Sequence, residues 1–349
     1  MSDARPAFVP DARLQRARAA GKALWWGAAG ELSRRLLRPE HGDQAVRLDT
    51  DAEPASPAVV RRLWAAAFDK DAADVAAGLY PAMDEAAPRQ ALTRTLDVFL
   101  DARAVDRRRR RSDGQEARAH SDGAAYPPYY RQNFHYQSGG WFTPESARRY
   151  EAQVELLFAG TGAAMRRRAL SLLAQAWRHH DQRGLRVLDL ACGSGGFTAD
   201  LRRAFPRAQV IASDLSPAYL PKARAASGAE AVQANAERLP FANASLDAVA
   251  CVYLFHELPP KVRPVVAREI ARVLKPGGVL TFADAVQPSD APEVRRMLEA
   301  FPVYFHEPYF ASYADEDLPT LFAGAGLTLQ ATDQAFLTKA LLLRKAPGS

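Results

Sequence analysis

The sequence predicts an α/β protein: a doubly wound, mostly parallel sheet with an antiparallel hairpin at its C-terminal edge, preceded by a helical region and an aromatic lid. Three observations predict it. From about residue 186 the short apolar runs VLDLA, VIASD, AVQAN, LDAVACVY and GVLTFADAV alternate with helical stretches, the pattern of parallel strands joined by crossover helices. After Gly324 and Gly326, LTLQATD and AFLTKALLLRK follow one another closely, as the two strands of a hairpin do. Before residue 111 no strand pattern occurs, while Ala and Arg dominate and Ser56-Pro57 and Pro88 supply helix starts.

With 349 residues, 48% of them hydrophobic, the chain can bury a large core and divide into about two domains. The expected divisions are a helical accessory region over 1–120, an aromatic lid and linking helix over 121–160, and a ligand-binding sheet domain over 161–349. Near the N-terminus, Trp25 and Trp26 lie in a segment flanked by Arg16, Arg18, Arg34, Arg35 and Arg38. Such a helix either rests on a membrane surface as a peripheral contact or docks against its own protein. No stretch there approaches the length of a membrane span, and no secretory leader is recognisable. The run Arg107 to Arg111 either holds phosphate or is a solvated helix end favoured by the helix dipole.

The lid is the densest aromatic stretch, YPPYYRQNFHYQSGGWF over 126–142, with Gly139-Gly140 inside it and Thr143-Pro144 as cap and first turn of the next helix. Two cysteines, Cys192 and Cys251, make neither a disulfide framework nor a structural zinc site, which points to a reducing compartment, the cytoplasm. No His, Cys, Asp and Glu cluster has metal-ligand spacing, so no metal is expected. The 46 Lys and Arg against 40 Asp and Glu leave a net charge of +6, a mild excess unlike the basic stripe of a nucleic-acid binder.

The most informative segment is VLDLACGSGGFT, a strand running straight into Gly193, Ser194, Gly195 and Gly196 with a helix behind them. Glycines there let the backbone turn sharply and approach a ligand, and the helix N-terminus adds its positive end. The loop lacks the Lys-Ser/Thr pair of a P-loop, and its spacing departs from GxGxxG, which disfavours a nicotinamide cofactor. Asp214 stands 21 residues after Gly193, at the end of the second strand. In a doubly wound sheet that position faces the crevice at the switch point, where a carboxylate accepts from both ribose hydroxyls of a nucleoside. The competing reading makes Asp214 a helix N-cap before Ser216-Pro217.

The ordered set of this loop, Asp214, the segment Asn235-Ala236-Glu237-Arg238-Leu239-Pro240-Phe241 and the turn RVLKPGG resembles class I S-adenosylmethionine-dependent methyltransferases, most of all the ubiquinone and menaquinone biosynthesis C-methyltransferase branch, a Rossmann-like fold. The likeness covers about residues 160 to 345. It implies S-adenosyl-L-methionine as cofactor, with Asp189, Ala191, Gly193 and Gly195 around its methionine part and Asp214 on its ribose. It further implies Leu215 against the adenine, Asn235, Ala236 and Glu237 along the adenine edge, and Tyr253 bordering the pocket. The branch usually has Asp where Asn235 stands; an amide accepts through its carbonyl and also donates. The Gly-Leu-Arg-Asn-Val motif of the quinone enzymes is absent, FHELPP standing in its place, which argues against a quinone substrate.

A sulfonium makes its own methyl group electrophilic, so the protein must chiefly align a nucleophile, with a base needed only where that nucleophile starts protonated. His256, His135 and His306 are the candidate bases, His306 foremost because Glu307 and nearby tyrosines could fix its tautomer. Tyr130, Phe134, Tyr136 and Trp141 of the lid, Asp284 after the fifth strand, and Tyr304, Tyr309 and Tyr313 of the following insertion are the expected substrate pocket. An aromatic box of this kind suits a small aromatic or amphipathic methyl acceptor. The oligomeric state and the atom methylated stay open. Two other classes compete: an RNA or DNA methyltransferase, disfavoured because Tyr-Leu-Phe-His ends the fourth strand, and a non-catalytic cofactor-binding interaction protein, disfavoured by the intact Gly193, Gly195 and Asp214.

Overall fold

The computed structural model describes residues 12–36, 48–83, 88–123 and 125–347. Three helices lead the chain: α1 (Ala12–Leu36), α2 (Pro57–Ala76) and α3 (Pro88–Arg111). Ser56 caps α2 by accepting from Val59 N–H, with proline at the first helical position. The side chains of Arg34 and Arg35, and Arg38 altogether, lie outside the described residues. Trp26 is buried with Ala29, Val98 and Ala152, so this indole docks on its own protein, while Trp25 donates to Thr95 Oγ1 at 3.3 Å. No helix among the described residues is long and apolar enough to cross a membrane.

The Arg107 to Arg111 run closes α3 and serves the lid: Arg108 Nε donates to the Tyr136 carbonyl at 2.9 Å and its Nη2 to Ser138 Oγ, while Arg109 and Arg110 pair with Asp106. The lid itself coils through two short turns, 128–130 and 134–136, before Thr143 caps α4 (Pro144–Leu157) through Ser146 N–H. Next come α5 (Gly162–Ala176), β1 (Arg186–Leu190), α6 (Gly196–Ala204), β2 (Gln209–Asp214), α7 (Leu220–Ser227), β3 (Glu230–Gln233), β4 (Leu246–Val252), α8 (Arg263–Val273) and β5 (Leu274–Ala285). The chain ends with α9 (Arg295–Phe305), α10 (Phe310–Ala314), α11 (Leu318–Ala323), β6 (Leu327–Ala335) and β7 (Thr338–Lys345).

The seven strands run in the order β3-β2-β1-β4-β5-β7-β6, with β1 to β5 parallel and β7 antiparallel to both β5 and β6. Chain direction leaves β1 toward β2 on one side and, later, toward β4 on the other, so the loops after β1 and β4 diverge and open a crevice at their carboxyl ends. Alternate strand residues feed two cores. Leu188, Val249, Leu280 and Phe282 pack under α8 and α11, and Val187, Ala248, Ala250 and Ala283 pack under α5 and α6. Strands buried on both faces explain why the central runs read as continuously apolar rather than alternating.

One feature went unread in the sequence: the consecutive Arg166, Arg167 and Arg168 of α5 are all buried. Three successive helical residues point in three directions, and each meets a different acid. Arg166 Nη2 reaches Glu151 of α4 at 2.7 Å. Arg167 grips both oxygens of Asp71 on α2, at 2.6 and 2.8 Å, and also reaches Asp200 of α6 at 3.3 Å. Arg168 meets Asp74 at 2.7 Å and Asp333 of β6 at 3.3 Å. Helix α5 thus pins α2 and α4 to the sheet domain.

Candidate functional site

At the carboxyl ends of β1, β2 and β4 lies a cleft of about 780 Å³. Its floor is Leu190, Ala191 and Gly193 after β1, Asp214 and Leu215 after β2, Asn235 and Ala236 after β3, and Tyr253 after β4; Tyr129, Tyr130, Phe134 and Trp141 of the lid cover it. Two floor residues that are not glycine hold left-handed backbone, Ala191 at φ 58° and Tyr253 at φ 56°. Such conformations cost of order 1 to 3 kcal/mol and persist where neighbouring structure demands a sharp exit from a strand.

Asp214 accepts from Gly193 N–H and Ser216 N–H, both at 2.8 Å. Each oxygen keeps a second lone pair for a ligand in the cleft. Burial raises the pKa of this carboxyl, while the backbone donors at Ser216 and Gly193 hold it down. Gly193 faces Tyr150, whose ring would touch a Cβ there at 3.5 Å.

Some expected residues stand elsewhere. Gly195, at φ 83°, does not line the cleft; a Cβ on it would come within 2.5 Å of Ala223 Cα, so glycine is needed there for packing of the loop against α7. Asp189 turns inward to accept from Thr198 at the start of α6, and burial raises its pKa to about 7. Glu237 lies beside the cleft and accepts from the Tyr129 hydroxyl.

A second cavity of about 670 Å³ adjoins the first. The two share Tyr150, Tyr253 and Glu257. Its walls are apolar, built from Val154 and Leu157 of α4, Met297, Leu298 and Phe301 of α9, and Phe310 of α10; its polar members include His135, His256 and Glu257. His256 Nδ1 lies 2.6 Å from Asp284 Oδ1. Burial pulls the His256 pKa down, but the Asp284 charge outweighs it and lifts the imidazole to about 9. Burial raises the Glu257 carboxyl to about 8 against the lowering influence of His256. His135 is pushed the other way, to about 3, by burial and then by the charge of His256. Its Nε2 sits 3.4 Å from Oε1 of Glu307, a carboxyl 1% exposed whose two oxygens have no hydrogen-bond partner.

The remaining sequence candidates divide. Asp284 is fully buried and saturated, accepting from the N–H groups of Phe255, His256 and Ala285 besides holding His256, so it faces the histidine and not the cavity. His306, the favoured base on sequence grounds, lines neither cavity: its ring tilts on Tyr136 at 5.2 Å, Nε2 meets Gln132 at 3.1 Å, and its left-handed backbone ends α9. Tyr136 is occupied with that contact. Tyr313 is a core residue, fully buried under Arg263, its hydroxyl donating to the Ala285 carbonyl. Tyr304 lines neither cavity, and Tyr309 packs against the Phe134, Trp141 and Tyr219 cluster under the lid. The sequence reading missed Tyr150 and the α4 wall. The signal was present as Tyr150, Val154 and Leu157, spaced at helical intervals on one face.

Residues 187–278 match a family described as a methyltransferase domain. Among curated proteins, the chain is 33% identical over 148 residues to a demethylmenaquinone methyltransferase of Deinococcus radiodurans, covering 41% of this chain and 58% of that protein. It is 33% identical over 160 residues to a ubiquinone/menaquinone biosynthesis C-methyltransferase of Desulfotalea psychrophila, covering 40% and 64%. A fatty-acid O-methyltransferase of Mycolicibacterium smegmatis is 37% identical over 126 residues, with 35% and 45% covered. The chain therefore spans less than two thirds of the length of each. All three are named for methylating small molecules, of different kinds. Residues 187–278 therefore form a methyltransferase domain, and the sheet order, the glycine loop and the carboxylate after β2 agree with the S-adenosylmethionine-dependent class of that family.

Proposed function

We propose that this chain transfers the methyl group of S-adenosylmethionine to a small aromatic or amphipathic molecule held in the second cavity. One observation carries the reading: the apolar cavity and the cofactor cleft meet at shared residues, Tyr150, Tyr253 and Glu257, so a ligand in one can touch a ligand in the other. The cleft's own groups fit the cofactor. Asp214 has lone pairs to spare for ribose hydroxyls, Gly193 leaves room for close backbone approach, and the buried Trp141 Nε1 has no partner in the protein. When bound, the cofactor supplies an electrophilic methyl group.

The chain's residues then have three tasks. Asp214, Leu215, Asn235 and Ala236 hold the nucleoside side, with Ala191 and Gly193 at the other end of the cleft. Tyr130, Phe134 and Trp141 exclude water, which raises the worth of each electrostatic contact beneath them. His256, oriented through Nδ1 by Asp284, presents its other nitrogen as the candidate proton acceptor, with His135 on the same cavity. An aromatic lid lying over the cleft suits a small molecule better than a nucleic-acid strand. The test is calorimetry with S-adenosylhomocysteine, followed by mass spectrometry of small-molecule extracts incubated with the chain and methyl-labelled cofactor. A labelled small product supports the reading; labelled RNA or DNA alone, or no cofactor binding, refutes it.

A further inference from the structure

The second cavity is unusual in its charge. Nine of its lining side chains are apolar, yet its polar members bring two carboxyls close together, Glu257 in the lining and Glu307 behind His135, with Asp284 behind His256. Asp284 and His256 pair with each other, burial raises both glutamate carboxyls, and the lining contains no Lys or Arg to draw them into the ionised form. Asp284 is satisfied by its backbone donors and by His256. Glu307 is not: 1% exposed, it has only the backbone N–H and ring nitrogen of His135 near it, and neither oxygen makes a hydrogen bond of good geometry. A buried carboxyl without a donor costs free energy that folding would normally remove by pairing it or replacing it with an apolar residue. Retaining it beside an enclosed pocket makes sense where a ligand brings the donor and the positive charge.

We infer that the acceptor taken by this cavity is an amphipathic amine, its nitrogen lodged among Glu257, Glu307 and His256 and its apolar body against Leu298, Phe301 and Phe310. The inference rests on the methyl-transfer reading and narrows its substrate class. The chemistry balances. An ammonium entering the site gives one proton to a carboxylate there, freeing the nitrogen lone pair. That pair forms the new N–C bond as the C–S bond breaks, the bonding electrons staying on sulfur. The positive charge that sulfur loses appears on nitrogen, which lies among the acids, so the site stabilises the charge where it arrives. An alcohol or phenol acceptor would end neutral and would bring no charge to draw Glu257 and Glu307 out of the protonated form in which burial holds them.

The full chain, saturated with S-adenosylhomocysteine, distinguishes the cases by calorimetric titration with three probes of one shape: phenethylamine, phenethyl alcohol and phenylacetate. The amine should bind at least about tenfold more tightly than the alcohol, the worth of a hydrogen bond to a charged group, with phenylacetate weakest. Glu307→Gln should erase most of that preference while leaving S-adenosylhomocysteine and alcohol affinities within about twofold, since Glu307 does not line the cofactor cleft. Equal or tighter alcohol binding overturns the amine assignment and leaves methyl transfer standing. Cofactor binding without uptake of any probe overturns the cavity as the acceptor site. Failure to bind S-adenosylhomocysteine at all is a different result, which removes the function proposed above. Should Glu307→Gln not fold, the amine-to-alcohol ratio of the unaltered chain decides.

Discussion

The hydroxyl of Tyr129 donates to Glu237 Oε1 at 2.7 Å, joining the lid to the loop after β3 beside the cofactor cleft. Burial and the Glu237 carboxylate both raise the Tyr129 pKa, so the phenol stays a donor. Tyr129→Phe keeps the ring over the cleft and removes the latch, which should cost about 1 kcal/mol, roughly a fivefold faster release of S-adenosylhomocysteine in stopped-flow experiments. An unchanged release rate would show that the lid is held by its aromatic packing alone.

Asp214→Ala removes the acceptor for Gly193 N–H and Ser216 N–H and for the proposed ribose contacts. Cofactor affinity should fall by about 1 to 3 kcal/mol by calorimetry. Wild-type affinity would exclude Asp214 from the binding site.

His256 requires its neutral form to accept a proton, and the Asp284 charge holds the ring protonated up to about 9. The rate should therefore climb with pH through that value if His256 is the base. Asp284→Asn removes the charge, lowers the pKa toward the ordinary 6.5 and should move the rising limb to lower pH. His256→Gln should lower kcat by about 10² to 10⁴ with little change in cofactor affinity. A pH profile that is the same in wild type and Asp284→Asn removes His256 from this role.

Asp71 tests the buried ion pairs. Its burial alone would raise its pKa, but Arg167 and Arg168 outweigh that and hold it at about 2, against 3.8 for a free carboxyl. Because the folded value is the lower one, the stabilisation is present above pH 3.8 and is lost as pH falls through about 2. It amounts to about 2 kcal/mol by linkage. Asp71→Asn strands Arg167 and should destabilise the chain by about 3 to 5 kcal/mol, measured by urea unfolding at neutral pH. A loss under about 1 kcal/mol would mean that solvent reaches the guanidinium.

The sheet was legible because each strand is a local apolar run, and the cofactor cleft because its glycine loop and Asp214 are set by position at the ends of strands β1 and β2. The second cavity was legible only in part. Aromatic density between 301 and 313 suggested one box, but the stretch is broken by the left-handed turn at His306 into two short helices whose directions local pattern does not give: Phe301 and Phe310 reach the cavity, while Tyr313 enters the sheet core and His306 turns toward Gln132. The α4 face was readable from the spacing of Tyr150, Val154 and Leu157, but that it forms a cavity wall depends on α9 arriving opposite, which no local pattern encodes. Arg166 to Arg168 carried no signal, since nothing in their own segment reveals that Asp71 and Asp74 stand across from them.

Those three arginines also decide how freely this chain can be recombined. A sheet domain cut out just before α5 would carry Arg167 and Arg168 into its interior stripped of Asp71 and Asp74, and a leading region from another chain would fit only where it brings acids to the same places. Segments can be exchanged between chains of this kind only when α2 travels with α5. The interlocked pair of α2 and α5 is one structural unit, and a chain cut to the sheet alone should come out insoluble.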